Sequence, residues 1–157
     1  LTPRFSATRA VCEYTEQHYL PAAAARLSRV ANHGAVGKHM VDWRNELDQK
    51  WSSLHLGEMK LATRNGTHEF EVEFGHDGLD PKAVRVELYA DGIKDGPAVR
   101  LEMTRLPPPA GKSGDDIYSA TVPSARPPSD YTVRVLPRCN GAAIPLEAAR
   151  ILWQRRF

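Results

Sequence analysis

MKLATRNGTHEFEVEF, residues 59–74, decides how the rest of the chain reads. Phe70, Val72 and Phe74 alternate with Glu69, Glu71 and Glu73, and a period of two places one set on each face of a strand half-buried against a core. Asn65-Gly66 stands just upstream. Both residues tolerate positive φ, which a tight turn between right-twisted strands requires, so MKLAT is expected to pair back on the alternating segment as a hairpin.

The same alternation recurs downstream. Val84, Val86 and Leu88 stand against Arg85 and Glu87, and Val99, Leu101 and Met103 against Arg100 and Glu102. Tyr118, Ala120 and Val122 follow, then Tyr131, Val133 and Val135, and finally Ile151 with Trp153. Asp91-Gly92 and Asp95-Gly96 supply turns. About seven short strands in about 100 residues predict an immunoglobulin-like antiparallel β-sandwich over residues 56–157. LPPPAGKSGDD, residues 106–116, reads as a mobile loop, because its prolines bring no N–H to a ladder.

Upstream the period is helical. Ser6 is placed to cap a helix from about Thr8 to Tyr19, with Ala7, Ala10, Val11, Tyr14 and His18 at helical spacing, and Pro21 is expected to interrupt the ladder. A second piece, AAAARLSRVA, is closed by Asn32, His33 and Gly34. Val36, Met40, Trp43, Leu47, Trp51 and Leu54 then form the stripe of a helix buried along one side. Its outer face pairs Lys38 with Asp42 and Glu46 with Lys50, at about 0.2–0.5 kcal/mol each. The expected class is α+β: a helical arm of two to three helices over residues 1–55, then the sandwich.

Composition excludes several classes. The 157 residues are 41% hydrophobic and 25% charged, and no apolar run approaches the ~20 residues of a membrane span. Basic residues number 21 against 19 acidic, mixed along the chain, so no basic face marks nucleic-acid binding, and Arg155 and Arg156 read as solvated. Cys12 and Cys139 lie far apart and read as reduced thiols of a cytoplasmic protein. The opening LTPRF has neither a starting methionine nor a signal stretch, which suggests a piece of a longer protein.

No motif assembles a reaction centre. Gly111-Lys112-Ser113 resembles the end of a phosphate loop, but Leu106 stands where that loop needs glycine. His68-Glu69 lacks the second zinc-protease histidine, Val72 standing there instead, and the six histidines are dispersed as surface or boundary residues. The carboxylates fall on polar helix or strand faces, where an acid–base pair is not expected. Neither cysteine has a histidine and acid beside it in a recognisable motif, and no serine sits in G-x-S-x-G. Asn65-Gly66-Thr67 fits a glycosylation acceptor, but the turn accounts for it. Trp43, Trp51 and Trp153 are read as core, with a sugar platform as the alternative.

The order of segments resembles the end of bacterial α-glucan phosphorylases, the glycogen phosphorylase family. PRFSATRAVCEYTEQHYLPAA matches its E-Y-x-E-x-x-Y-x-P through Glu13, Tyr14, Glu16, Tyr19 and Pro21. GKHMVDWRNELDQKW is similar to its two-tryptophan helix, LDPKAVRVELYADG to a family strand, and DYTVRVLPRCNGAAIPLEAARILWQ to its final Y-T-V-R-V-x-P, P-x-E and I-x-W. Cys12 and Thr15 stand where the family is more aliphatic. The resemblance implies a pyridoxal phosphate-dependent glycosyltransferase that cleaves α-1,4-glucan with orthophosphate, with this chain as its non-catalytic C-terminal part. It carries no catalytic, cofactor-binding or metal residue onto any position here. MKLATRNG imitates the opening of the cofactor-lysine motif, but THEFEVEF replaces the continuation, so Lys60 is not assigned that role. The partners it implies are the catalytic domains of the same parent chain, with glucan and a homodimer through the arm as further ones, and neither nucleic acid nor membrane.

Overall fold

The computed structural model describes residues 6–107 and 115–154. The stretch 108–114, which includes Lys112 and most of the proline-rich loop, lies outside the described residues, as do Arg155 and Arg156. The chain divides into two compact units, Leu1–Asp42 and Trp43–Phe157.

The first unit is helical. Helix α1 spans Ala7–Tyr14, and the Ser6 hydroxyl accepts the Arg9 amide at 3.2 Å, the N-cap that the sequence indicated. Helical geometry does not break at Pro21. A π-helical turn over Thr15–Tyr19 leads directly into α2, Leu20–Lys50, with the Leu20 amide reaching back to the Thr15 carbonyl. A proline ring presses on the carbonyl four residues before it, here Gln17, and a widened turn at that point relieves the clash. The true interruption of α2 comes at Ala31, Asn32, His33 and Gly34, where the last three take left-handed φ of 50°, 58° and 76°. Those are the residues expected to close the second helical piece.

The second unit opens with the last turns of α2. Trp43 and Leu47 are buried one turn apart, and Trp43 Nε1 donates to the Ala83 carbonyl at 3.1 Å. Among the described residues eight strands follow: β1 (His55–Arg64), β2 (Thr67–Gly75), β3 (Val84–Ala90), β4 (Val99–Glu102), β5 (Thr104–Arg105), β6 (Asp116–Pro123), β7 (Tyr131–Pro137) and β8 (Leu152–Trp153). They form two antiparallel four-stranded sheets, ordered β1-β2-β6-β5 and β4-β3-β7-β8. The deciding hairpin is present, with Arg64 opposite Thr67 and positive φ at Asn65 and Gly66. The ladder of β1 carries a register shift between Leu56 and Met59. Phe70, Val72 and Phe74 from one sheet share a single buried core with Val86, Leu88, Val133 and Val135 from the other.

Two strand expectations change. Residues 99–105 are not one strand: β4 lies in one sheet, and at Met103 the chain crosses to the other, where Arg105 pairs with Tyr118 of β6. The Met103 amide donates to the Val86 carbonyl at 2.9 Å, and its side chain is buried between the two segments. In β8 the phase is the reverse of the expected one. Arg134 of β7 faces Trp153, and Val135 faces Leu152, so Leu152 packs on the core while Ile151 and Trp153 are exposed.

Candidate functional site

The outer face of the β4-β3-β7-β8 sheet carries an unusual cluster. Alternation in β3 turns Arg85, Glu87 and Tyr89 outward, and register brings Arg134 opposite both Glu87 and Trp153. Arg134 Nε and Nη2 both donate to Glu87 Oε2, at 3.0 and 2.8 Å. Arg85 Nε lies 2.9 Å from the other oxygen of Glu87 as an ion pair without hydrogen-bond geometry. The Arg134 guanidinium sits 4.2 Å from the Tyr89 ring centre and 5.4 Å from that of Trp153. The two rings meet edge to face at 5.5 Å. They lean from β3 and β8 over the strand between them, which leaves Glu87 only 5% and Arg134 only 8% exposed on the outward side of a sheet. Tyr89 donates to Asp91 Oδ1 at 2.8 Å, and this hydrogen bond to a carboxylate raises its phenol above the usual value.

This cluster corrects two readings. Trp153 is not core but the exposed lid of a buried ion pair, 42% accessible. Trp43 is buried as expected, and Trp51 packs partly buried against the core. Glu87 is not a solvated strand carboxylate. On the other sheet Asp116, expected as the last residue of the loop 106–116, instead begins β6 and is 7% exposed. Asp116 accepts from Arg105 Nη2 at 2.7 Å and has His76 Nε2 at 3.6 Å.

The histidines also depart from the surface expectation at one position. His68 is 5% exposed, with Nε2 3.0 Å from the Arg126 carbonyl and Nδ1 2.8 Å from the Thr63 hydroxyl. A carbonyl can only accept, so Nε2 carries the proton and Nδ1 receives the threonine's. Among the described residues, no group of three His, Cys, Asp or Glu is placed to hold a metal ion. Cys12 and Cys139 are both free thiols. Among the same residues no helix is long and apolar enough to cross a membrane.

Lys60 does not fit a cofactor lysine. Its ammonium lies 3.8 Å from Glu73 Oε1 on β2, and the side chain is 63% exposed. The hollow beside it holds only about 10 Å³.

Tyr118, in β6, gives a pH prediction. Burial, and then the neighbouring Asp116 carboxylate, raise its phenol above the ordinary 10.0. The unfolded chain thus ionises first. The contribution is complete below about pH 10 and is lost as pH rises through the higher folded value. Urea melts at about pH 8 and about pH 11 are expected to show an alkaline loss that Tyr118→Phe reduces; an equal loss in that variant would remove Tyr118 as its source.

Comparison with known proteins places the chain in a family. Residues 51–155 match the sequence model of a family described as "Glycogen phosphorylase C-terminal domain". Over 151 residues the chain is 27% identical to glycogen phosphorylase of Mycobacterium bovis and, equally, of Mycobacterium tuberculosis strain H37Rv, covering 88% of this chain and 17% of each relative. Maltodextrin phosphorylase of Thermococcus litoralis is 27% identical over 99 residues, covering 63% of this chain and 12% of that protein. The chain thus spans a small part of the length of these relatives.

Proposed function

The chain belongs to the glycogen phosphorylase C-terminal domain family, and from this we propose that it is the non-catalytic C-terminal part of a cytoplasmic α-1,4-glucan phosphorylase. The parent enzyme in this reading is a pyridoxal phosphate-dependent glycosyltransferase that releases glucose 1-phosphate from glucan and orthophosphate. The two sheets are read as an immunoglobulin-like sandwich: β1-β2-β6-β5 follows the ABED order of that fold, and β3-β7-β8 follows CFG. Its role is structural, and its partner is the catalytic portion of the same parent chain.

The observation that carries this reading lies in the helical unit. No residue among 6–42 is buried, and Val11, Tyr14, Tyr19, Leu20, Leu27 and Val30 are between 59% and 69% exposed. Apolar side chains in that number ask for a covering surface, and relatives of which this chain covers only 17% have the length to supply one. The test is complementation. A parent enzyme truncated before Leu1 is expected to lose phosphorolysis and regain it when the 157-residue chain is added, but not when Leu20→Glu and Leu27→Glu are present in that chain. A truncated enzyme of full activity and stability would sink the idea, as would rescue by the double variant. Alone, the chain is expected to self-associate through the uncovered arm in light scattering; a monomer at every concentration counts against the exposed-arm picture.

A second reading rests on Trp153. An indole 42% exposed, braced by Tyr89 and Arg134, has the rigidity and flat apolar surface on which a pyranose ring stacks. Glucan would then be a ligand of the module itself. Retardation in glycogen-containing gels, abolished by Trp153→Ala, is the expected result; unretarded migration of the parent chain discards it.

A further inference from the structure

At Met103, where the chain leaves one sheet for the other, the seam between the sheets opens into a cavity of about 480 Å³. Four cationic side chains from four separate segments line it: Lys82 from the turn before β3, Arg85 from β3, Arg105 from β5 and Arg138 beyond β7. Among the described residues a single carboxylate, Glu102, shares the wall with them. We propose that this cleft binds a phosphate group carried by a small organic molecule.

Each arginine is held in place by a carboxylate, that of Arg138 being Glu102 in the cleft wall itself. Arg138 Nη1 donates to Glu102 at 2.5 Å, Arg105 Nη2 to Asp116 at 2.7 Å, and Arg85 Nε lies 2.9 Å from Glu87. A guanidinium has five N–H donors, and these contacts occupy few of them. The three side chains keep 53%, 50% and 37% of their surface open. The carboxylates offset the repulsion of gathering like charges and orient each planar fork, which is the geometry that phosphate oxygens take up. No hydrogen bond or ion pair to a described residue holds the ammonium group of Lys82, whose backbone amide donates to Asp80. It adds a movable point charge at the rim.

The rest of the lining sets what carries the phosphate. Val86 and Met103 give the cleft an apolar floor, and Tyr118 adds a ring whose hydroxyl stays protonated near neutral pH, a donor rather than a competing anion. The volume lies within the usual range of small-molecule sites. A concave, partly apolar hollow with convergent cations suits a phosphomonoester better than the flat contact of an acidic protein surface.

The experiment titrates phenyl phosphate, inorganic phosphate and phenol into the ¹⁵N-labelled 157-residue chain at constant ionic strength, following amide shifts. Saturable shifts centred on Lys82, Arg105 and Arg138 with phenyl phosphate, and none with phenol, are expected. Lys82→Ala and Arg138→Gln are each expected to weaken binding about tenfold, the scale of one charge-assisted hydrogen bond. Both residues are exposed, so the variants keep the fold. Inorganic phosphate bound as tightly as phenyl phosphate would support the anion site and assign it to free phosphate, whereas weaker binding would support an organic carrier. The proposal is overturned if neither phosphate saturates, if exposed cations elsewhere such as Arg64 and Lys94 shift as strongly, or if both variants bind like the parent chain.

Discussion

Glu87→Ala is expected to lower the stability of the two-sheet unit by about 3–5 kcal/mol, a large share of what a domain of this size has. The loss does not come from the attraction removed, because taking two charges out of water offsets most of what a buried pair gains. It comes from Arg134, which would remain beneath Tyr89 and Trp153 without the Glu87 carboxylate, and from Arg85, whose charge would then repel it. The double variant Glu87→Leu, Arg134→Met separates the two accounts. It fills the space under the rings with apolar atoms and is expected to return to within about 1 kcal/mol of the parent or to exceed it. Urea unfolding of all three chains measures this. A single variant costing under about 1 kcal/mol would mean that water reaches the pair and that the aromatic lid does not seal it.

Trp43→Ala carries the second large effect, again about 3–5 kcal/mol, through the cavity left where a wholly buried indole meets Leu47 and the sheet core. Part of that loss has a different origin, since the Ala83 carbonyl would lose the indole N–H that satisfies it. Trp43→Phe keeps most of the packing and removes only the donor, with an expected cost of about 1–3 kcal/mol. If the alanine variant unfolds in urea like the parent, the last turns of α2 are an ornament on the two-sheet unit rather than part of its core. Trp51, partly buried, supplies a fluorescence readout that neither substitution removes.

What the chain declared in advance follows from how local each signal is. The hairpin at Asn65-Gly66 and the alternation through Phe74 are set by neighbours in sequence, and the structure repeats them residue by residue. The crossing at Met103 is different. Val99, Leu101 and Met103 keep one unbroken period of two, which a single strand or two strands in different sheets would satisfy equally. What distinguishes the second arrangement is the pairing of Thr104 and Arg105 with Ser119 and Tyr118 of β6, which the local pattern does not record. In Ile151-Leu152-Trp153, three apolar residues in succession leave the phase undetermined, and pairing with β7 settles it. Glu87 looked solvated because the rings that cover it and Arg134 come from β3 and β8, a coincidence no local pattern records. The same is true of His68, whose partners Thr63 and Arg126 lie on either side of it in sequence but satisfy both ring nitrogens only once folded. The phosphate cleft is the extreme case, since its four cations come from four segments.

The outermost strands carry one more implication. A sheet edge offers unpaired amides and carbonyls to any strand that drifts by, and the described strands of this unit leave four such borders. Two, β5 and β8, are only two residues long. The third, β4, is four residues with Arg100 and Glu102 among them. The longest, β1, is jogged between Leu56 and Met59, and Glu58, Lys60 and Arg64 sit on it exposed. None offers the straight, uncharged template on which fibrils grow. A module whose borders refuse recruitment can be carried at high concentration without seeding its own precipitation.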